Sequence, residues 1–479
     1  MESQRDIELI NTLLNNRENE CLELKKDNTD PKIVGKLCSA LSNSARIFNK
    51  NYAYILWGVN DDGCIIGTDF NPNDTIITKF KLSQLLNPSI HCDFRLITHP
   101  DGNVVILEIP ATTIAPVEFS GTAYIRIGSA TPKLSDHLDK MQILMKNLQT
   151  HTWEKEIAKP FLTADEVLNY LAYKVYFKLT DQTPLQDTSE ILQYLEKDNI
   201  IKKDVSNKWN ILNLGALLLA NNLNDFGMSI ARKGVRFIAY NGDNKAATVS
   251  HRKEGEKGYA IALEGLVIYI NNLLPSSEII GEVYRQTNTT FPKIAIREII
   301  ANALIHQDLT IKGAGPQVEL FNNRLEVTNP GKSLNDIDRI IDLPPISRNE
   351  GLATLMRRMK LCEEQGSGLD KVIYSVEEAQ LPAPEFRVYD NSTQVILYAY
   401  RPFADLTVEE RIRACYQHAV IRYISGGMKL KNSSLCTRFG IKKGNESQVS
   451  KVIKNALSKE LIKVADTESP RSGYYPFWV

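Results

Sequence analysis

The sequence predicts an α+β protein built from several domains, and three observations lead to this prediction. The chain has 479 residues, whereas a single domain usually spans roughly 100–200 residues. Segments with apolar residues at helical spacing alternate with short apolar runs that end at turn residues. The composition, 43% hydrophobic and 24% charged, is that of an ordinary soluble globular chain.

Composition also excludes several classes of protein. No apolar run approaches the roughly 20 residues that a membrane-spanning helix needs, and the charges at Glu2, Arg5, Asp6 and Glu8 exclude a signal peptide. We therefore expect a cytoplasmic protein with no membrane partner. The seven cysteines form no C-x-x-C or zinc-type spacing. Net charge is zero, but residues 401–479 hold 14 Lys and Arg against 7 Asp and Glu, an asymmetry typical either of a polyanion contact or of a solvated basic face.

Four regions follow one another along the chain, with domain boundaries predicted at 1–150, 151–290, 291–402 and 403–479. The first is mixed α/β, with apolar helical stripes at 9–14 and 33–41 and strands at 52–59, 104–109 and 124–127. The second is a mostly helical connector with one strand at 235–240.

The third region begins with a helix after Pro292 and continues with a hairpin whose turn is Asn322-Asn323. A glycine-rich helix start at 366–368 and a strand at 394–400 complete it. The fourth region reads as helix, short helix, turn, helix and hairpin, which is the order of elements in a winged helix.

Acidic residues in the first region form a candidate metal site. Glu23 and Lys25 share one face of a strand-like stretch because side chains alternate along a strand. If that strand neighbours the one that precedes Asp61, then Glu23 and Asp61 converge, and Glu18 arrives from the end of the first helix. Three carboxylates can hold Mg²⁺ or Mn²⁺ and activate water against a phosphodiester, while Lys25 neutralises charge on phosphate. The alternative is a set of surface acids beside a hairpin turn.

A polar stripe in the third region indicates a nucleotide site. Glu298, Asn302 and His306 are four residues apart, so they line one face of the helix. Gly366 and Gly368 flank Ser367 at the start of a later helix, where backbone N–H groups can approach phosphate. Taken singly, the glycine motif is as well explained by a plain turn.

Lysines surround the predicted recognition helix of the fourth region, and they can neutralise phosphates of nucleic acid. They are Lys442, Lys443, Lys451 and Lys454. The alternative is a winged helix that binds protein.

The motif E-x4-E-L-K at 18–25, the sequences S-A-L-S-N at 39–43 and W-G-V-N-D-D-G at 57–63, and Y-I-R-I-G-S at 124–129 resemble the Schlafen/AlbA-type domain. The resemblance covers about residues 5–135. It implies that Glu18, Glu23 and Asp61 carry RNA cleavage with a bound Mg²⁺ or Mn²⁺, that Lys25 assists, and that Arg126 contacts nucleic acid. Many relatives are described only as DNA-binding, so the resemblance implies a fold more firmly than an activity.

A second resemblance joins R-E-I-I-A-N-A-L-I-H-Q-D at 297–308, L-E-V-T-N-P-G at 325–331, I-S-R-N at 346–349 and E-E-Q-G-S-G-L-D at 363–370. Together these resemble the GHKL ATPase fold, an α/β sandwich, in the divergent form that often follows Schlafen/AlbA-type domains. The resemblance implies ATP as cofactor, Glu298 as general base, Asn302 as metal-holding residue, and His306, Gly366 and Gly368 near the nucleotide. Asn329 and Gly331 stand where full GHKL ATPases have D-x-G-x-G. The alternative is a fold retained for structure or for homo-oligomer formation.

Two functions follow from these patterns. The first is a metal-dependent endoribonuclease coupled to an ATP-binding domain, with tRNA as the candidate substrate and phage defence as the candidate role. The second is a nucleotide-responsive transcriptional regulator that binds duplex DNA without cutting it. A motor helicase is not predicted, because no G-x-x-x-x-G-K-[ST] loop occurs in the sequence.

Overall fold

The structure is a computed structural model of the chain. It describes residues 2–15, 18–27, 29–72, 85–90, 92–149, 152–183, 185–204, 207–274, 276–280, 285–363, 368–469 and 472–479. Across these residues, none of the helices combines the length and the apolar character that crossing a bilayer requires.

The described residues form fifteen α-helices, distributed along the whole chain. They are α1 (Glu2–Leu14), α2 (Pro31–Ile47), α3 (Leu138–Gln149), α4 (Ala164–Tyr170), α5 (Tyr173–Leu179), α6 (Thr188–Lys197), α7 (Asn213–Leu219), α8 (Met228–Ala231), α9 (Tyr259–Leu273), α10 (Lys293–His306), α11 (Glu350–Arg358), α12 (Gly368–Glu378), α13 (Val408–Ile424), α14 (Asn432–Arg438) and α15 (Glu446–Ser458).

Twenty β-strands accompany the helices. They are β1 (Leu22–Lys25), β2 (Tyr52–Trp57), β3 (Leu86–Asn87), β4 (Asp93–His99), β5 (Gly102–Pro110), β6 (Glu118–Phe119), β7 (Thr122–Ala123), β8 (Ile157–Leu162), β9 (Ile201–Lys203), β10 (Trp209–Leu212), β11 (Arg236–Tyr240), β12 (Val249–Glu254), β13 (Ser276–Ile280), β14 (Arg285–Thr289), β15 (Gln317–Leu320), β16 (Arg324–Pro330), β17 (Glu385–Tyr389), β18 (Ser392–Tyr398), β19 (Ile462–Val464) and β20 (Tyr474–Pro476). The predicted mixture of helices and sheets in more than one domain is therefore confirmed.

Two compact units divide the chain. The first comprises residues 1–164 and 201–212, and the second comprises residues 165–200 and 213–479. This division is coarser than the four predicted regions, whose boundaries it does not test. Strands β11 and β12, from the predicted connector, join the sheet that also contains the hairpin β15–β16.

The core of the first unit is a four-stranded sheet in the order β1-β2-β5-β4, with β1 and β2 parallel. Side chains that alternate along β2 separate two apolar layers, as the strand period of two requires. Tyr54 and Leu56 pack with α1, whereas Ala53, Ile55 and Trp57 pack with α2. The neighbouring strands predicted for the acidic site are thus β1 and β2.

Helix α2 carries a row of fully buried polar side chains, which bind a later segment of the chain. Ser39 Oγ donates to Val117 O (2.6 Å), and Asn43 Nδ2 donates to the carbonyls of Val117 and Tyr124 (both 2.9 Å). Ser44 Oγ accepts from the backbone N–H of Arg126 (2.8 Å). The strand predicted at 124–127 is consequently reduced to isolated bridges, because α2 side chains take the hydrogen bonds that a neighbouring strand would otherwise take.

The second unit is organised around a six-stranded mixed sheet in the order β12-β11-β15-β16-β18-β17. Pro292 precedes α10 as predicted, and Asn322-Asn323 joins β15 to β16. Helix α10 is buried along most of its length, which places its polar stripe next to the sheet.

The C-terminal helices α13, α14 and α15 and the hairpin β19–β20 share one apolar core, and the predicted order of elements is present. Thr407 and Glu410 form a capping box at the start of α13. Ile341 and Ile373, from outside this helical group, belong to the same core. The assignments as winged helix and GHKL sandwich remain predictions.

Candidate functional site

The acidic residues of the first unit form an ion-pair cluster. Glu23 on β1 is 3% exposed, and its Oε1 lies 2.5 Å from Lys25 Nζ. Arg126 Nη2 lies 2.5 Å from Glu23 Oε2 and 3.2 Å from Glu18 Oε1. The structure therefore brings together Glu18, Glu23 and Lys25, as predicted from the sequence, and adds Arg126 between the two carboxylates.

Arg126, which the resemblance placed in contact with nucleic acid, has a side chain that is 1% exposed. Its Nη1 donates to Ser129 O (2.8 Å) and to Thr131 Oγ1 (3.2 Å), which completes its enclosure. A guanidinium held in this way is placed as the counter-charge of the buried Glu23 and of the partly exposed Glu18.

Asp61 does not take part in these ion pairs. In the parallel pair β1–β2, Glu23 is opposite Ile55, six residues before Asp61, which is exposed in the turn that follows. Within the described ranges, no three His, Cys, Asp or Glu residues are grouped so that they could hold a metal ion. Arg126 and Lys25 already occupy oxygen atoms of Glu18 and Glu23, so this pair of carboxylates does not fit a resident divalent cation, which would compete with both side chains for the same atoms.

Glu18 has an unusual proton affinity. Burial, followed by a hydrogen bond to Glu23 and the negative charge of Glu23, raises the pKa of Glu18 to about 7, although Arg126 and Lys25 oppose the shift. A carboxyl group that titrates near neutral pH can give or take a proton under ordinary conditions. The cluster can therefore perform acid–base chemistry without a further charged group.

The second unit contains a cavity of about 530 Å³, within the usual range for small-molecule sites. Five residues predicted for a nucleotide site line it together: Glu298, Asn302, His306, Asn329 and Gly368. Strands β16, β17 and β18 supply a largely apolar floor, and α10, α11 and the start of α12 supply polar walls. Gly366, also predicted for this site, lies outside the described residues.

At one end of the cavity, Glu298 is buried and close to the backbone of α12. A Cβ atom added to Gly368 would lie 3.0 Å from Glu298 Oε2 and 3.8 Å from Asn302 Nδ2. Burial raises the pKa of Glu298, and its Oε2 has no hydrogen-bond partner among the described residues. Burial also lowers the pKa of His306. A buried carboxylate oxygen without a donor is typical of a site that a ligand completes.

The opposite part of the cavity is formed by neighbouring strands. Asn329 on β16 is paired with Thr393 on β18, and Thr393 Oγ1 donates to Gly331 O (2.9 Å). Gly331 is not a lining residue. It has φ +100°, and a Cβ atom there would lie 2.7 Å from Asp308 Cβ, so the absence of a side chain lets two backbone segments approach closely.

One wall of the cavity also contacts the C-terminal helices. The segment 333–348 lines the cavity. The Tyr416 hydroxyl donates a hydrogen bond to the backbone carbonyl of Asp338, which belongs to this segment. The Arg339 guanidinium stacks over Trp478, 4.7 Å from the ring centroid. Ile340 lines the cavity and packs against the C-terminal core. A change in the position of this wall would therefore alter its contacts with Tyr416 on α13 and with Trp478.

The lysines predicted to bind nucleic acid are solvent-exposed on or beside α15. They are Lys442, Lys443, Lys451 and Lys454. In the part of the chain that the structure describes, none of the four forms an ion pair with a carboxylate. They are therefore available to an external anion.

Sequence reasoning missed three parts of these sites. The role of Arg126 depends on a contact with Glu18 over 108 positions of sequence, which no local pattern reports. The cavity wall 333–348 and Arg357 were also not predicted as parts of the nucleotide site. The motif I-S-R-N at 346–349 gave a partial signal for the wall, since Arg348 within it lines the cavity.

Comparison with known proteins identifies two segments. Residues 18–135 match the family model described as "Schlafen, AlbA_2", and residues 313–397 match the one described as "Putative ATP-dependent DNA helicase recG C-terminal". The second match includes Asn329, Gly331 and Gly368 but begins after α10. No curated protein matches the chain.

Among solved structures, the DIP2311 protein from Corynebacterium diphtheriae is 15% identical, over 99% of this chain and 97% of that chain, with a TM-score of 0.44. A likeness of this size does not establish a shared fold. The two resemblances predicted from the sequence are confirmed by the family matches: the chain carries a Schlafen, AlbA_2 segment at residues 18–135 and a RecG C-terminal, ATPase-like segment at residues 313–397.

Proposed function

We propose that this protein binds ATP in the cavity of the second unit and contacts nucleic acid through its C-terminal helices, with the nucleotide controlling that contact. The observation that carries the proposal is the assembly of Glu298, Asn302, His306, Asn329 and Gly368 around one cavity of about 530 Å³. The ATPase-like family match at 313–397 supports the same ligand.

Control by the nucleotide is supported by the shared wall. Because segment 333–348 lines the cavity and contacts Tyr416 and Trp478, a ligand that repositions the wall changes the contacts of the C-terminal helices. Helix α12 supplies a second connection. It starts at Gly368 in the cavity, and its Glu377 Oε2 lies 3.0 Å from His418 Nδ1 on α13.

The first test measures ATP binding. Isothermal titration calorimetry of the full chain with Mg²⁺ and ATP should give a saturable heat, and Asn302→Ala should weaken it. Absence of binding at about 1 mM nucleotide, which corresponds to a binding free energy weaker than about −4 kcal/mol, would refute the proposal.

The second test measures nucleic-acid binding by fluorescence anisotropy, with labelled duplex DNA and single-stranded RNA, with and without ATP. We expect affinity to fall steeply between about 50 and 200 mM salt and to change on adding ATP. Deleting residues 403–479 would be a poor test, because Ile341 and Ile373 share the core of that segment and would become exposed. The combined variant Lys451→Ala, Lys454→Ala is the better one, since both side chains are already exposed.

Cleavage of RNA at the acidic cluster is the second candidate function. It is favoured by the proximity of Glu18, Glu23 and Lys25 inside the Schlafen, AlbA_2 segment and by the pKa of Glu18 near 7, which suits proton transfer to or from a reacting hydroxyl. Incubation with total tRNA, with and without Mn²⁺, should yield fragments that Glu18→Gln and Lys25→Met each abolish. Fragments that persist in both variants would locate the activity elsewhere, or in a contaminant.

A further inference from the structure

Most cationic side chains near the Glu298 end of the cavity are already paired with acids. Arg297 Nε lies 3.7 Å from Glu298 Oε1, and Lys371 is paired with Glu363. Arg358, next to Arg357 in the last turn of α11, is paired with Asp198. Arg348, another lining arginine, donates to the backbone carbonyls of His306 and Lys332.

Arg357 is different. It lines the cavity, and its Nη2 makes one hydrogen bond, to Thr354 Oγ1 at 3.4 Å. Within the described ranges of the chain, no carboxylate forms an ion pair with it. A guanidinium has five N–H donors in a planar fork, so most of the donors of Arg357 are available to a ligand.

Arg357 lies near Glu298 and away from the apolar floor of the cavity. Arg297 Nη2 donates to Lys360 O (3.0 Å), which holds the end of α11 beside the Glu298 turn of α10. Cys362, another lining residue, is influenced by both groups: burial raises the pKa of its thiol to about 11, Glu298 adds to the shift, and Arg357 opposes it. Arg357 and Glu298 therefore belong to the same end of the cavity.

The distribution of apolar and polar lining residues favours one orientation of a nucleotide in the cavity. The floor beside Val327, Phe386 and Val395 is apolar and suits a flat base, whereas Glu298, Asn302 and the backbone at Gly368 suit a phosphate chain. A base against Val327, Phe386 and Val395 would direct the phosphate chain toward the polar residues, where Arg357 has free donors. Arginine is well matched to phosphate because its fork bonds two oxygen atoms at once.

We propose that Arg357 binds the terminal phosphate of a nucleoside triphosphate and thereby makes the cavity prefer a triphosphate to a diphosphate. The inference rests on the proposed function, since it assumes that the cavity binds a nucleotide. It adds a specificity-determining residue and a ligand class, and it explains how loss of one phosphate can be detected at the cavity.

The experiment measures dissociation constants for ATP and for ADP, each with Mg²⁺, by calorimetry of the full chain. In Arg357→Ala, we expect the Kd for ATP to rise about 10–100-fold, the usual loss for a hydrogen-bonded charge pair, while the Kd for ADP changes less than about threefold. Arg357→Lys should retain part of the preference, because it keeps the charge but not the fork. Arg358→Ala is the matched control, since that residue is adjacent in sequence and does not line the cavity.

Other outcomes overturn the inference in distinguishable ways. Equal losses for ATP and ADP in Arg357→Ala would show that the side chain does not discriminate the terminal phosphate. Unchanged affinities would show that it touches neither ligand. If the unaltered protein binds neither nucleotide, the proposed function itself fails. Arg357→Gln preserves most of the side-chain stem, and it must reproduce the loss of ATP affinity if Arg357→Ala proves unstable.

Discussion

The acidic cluster of the first unit and the cavity of the second unit both contain a buried glutamate. The two glutamates differ in how closely cationic side chains compensate their charge. Glu23 is compensated within the fold, by Lys25 and by Arg126, whose side chain is itself 1% exposed. The Oε2 atoms of both glutamates lack a hydrogen bond in the described structure, but Glu23 Oε2 lies 2.5 Å from Arg126 Nη2. Glu298 is paired at 3.7 Å, through Oε1 with Arg297 Nε, and it lines a cavity.

The charge of Glu23 is therefore balanced by side chains within the fold, whereas the charge of Glu298 can interact with a ligand. Buried ion pairs whose partners are all internal are chiefly costly to break. A buried oxygen next to an open cavity, with an available guanidinium at the same end, is where an external ligand gains most. Binding is therefore better supported for the second unit than metal chemistry is for the first.

The largest expected effect is on the stability of the acidic cluster. Arg126→Met removes the cation that Glu18 and Glu23 share, leaves Lys25 as the cation beside Glu23, and should lower the free energy of unfolding by about 3 kcal/mol. Urea unfolding followed by tryptophan fluorescence suits the measurement, because Trp57, Trp153 and Trp209 lie in the first unit. Adding Glu23→Gln to Arg126→Met should recover part of the loss. A loss below about 1 kcal/mol would mean that the pair is less enclosed than its exposure indicates.

A smaller effect is expected at the cavity. There a substitution should change the free energy of ATP binding and leave the free energy of unfolding nearly unchanged. Asn302→Ala should weaken ATP binding about 10–100-fold, or about 1.4–2.8 kcal/mol, and leave unfolding nearly unchanged, because no hydrogen bond to another residue is seen for this side chain in the described structure. Asn271→Ala is the control, since Asn271 lies on α9 and is not a lining residue. Equal weakening by both variants would contradict the site.

The pH dependence of stability should report the titration of Glu18. The pKa of Glu18 is raised from 4.5 to about 7. Between these values the unfolded chain releases the proton and the folded chain keeps it, so stability falls as pH rises from 4.5 to about 7 and then levels off. Glu18→Gln should remove this fall, as measured by thermal unfolding across that range, and Glu20→Gln should retain it. An unchanged slope in Glu18→Gln would assign the fall to another group.

The smallest expected effect concerns the exposed lysines of α15. Replacing Lys451 or Lys454 by alanine should reduce the salt dependence of nucleic-acid binding by about one unit of slope for each residue, while sequence preference stays the same. Lys257→Ala, at another exposed position, serves as the control. Slopes that do not change would assign binding to a different surface.

How far the sequence predicted these sites depends on the range of the contacts involved. The stripe Glu298, Asn302 and His306 was predictable because helix geometry places residues four apart on one face, and all three line the cavity. The hairpin at Asn322-Asn323 was predictable for a similar local reason. In both cases the relevant geometry is fixed within a few residues.

Other features depend on contacts between distant segments. The convergence of Glu23 with Asp61 was inferred from neighbouring strands, and β1 and β2 are indeed neighbours, but the register places Ile55 opposite Glu23 and leaves Asp61 in an exposed turn. Register and the burial of Arg126 are set by tertiary packing, which periodicity does not report.

The buried polar row of α2 has a consequence for protein engineering. Ser39, Asn43 and Ser44 supply hydrogen bonds that an adjacent strand would normally supply to the segment carrying Arg126. That segment is therefore not a portable module. Grafting residues 117–131 into another scaffold, or exchanging them between relatives, would preserve the enclosed guanidinium only if these three helix positions were transferred with them.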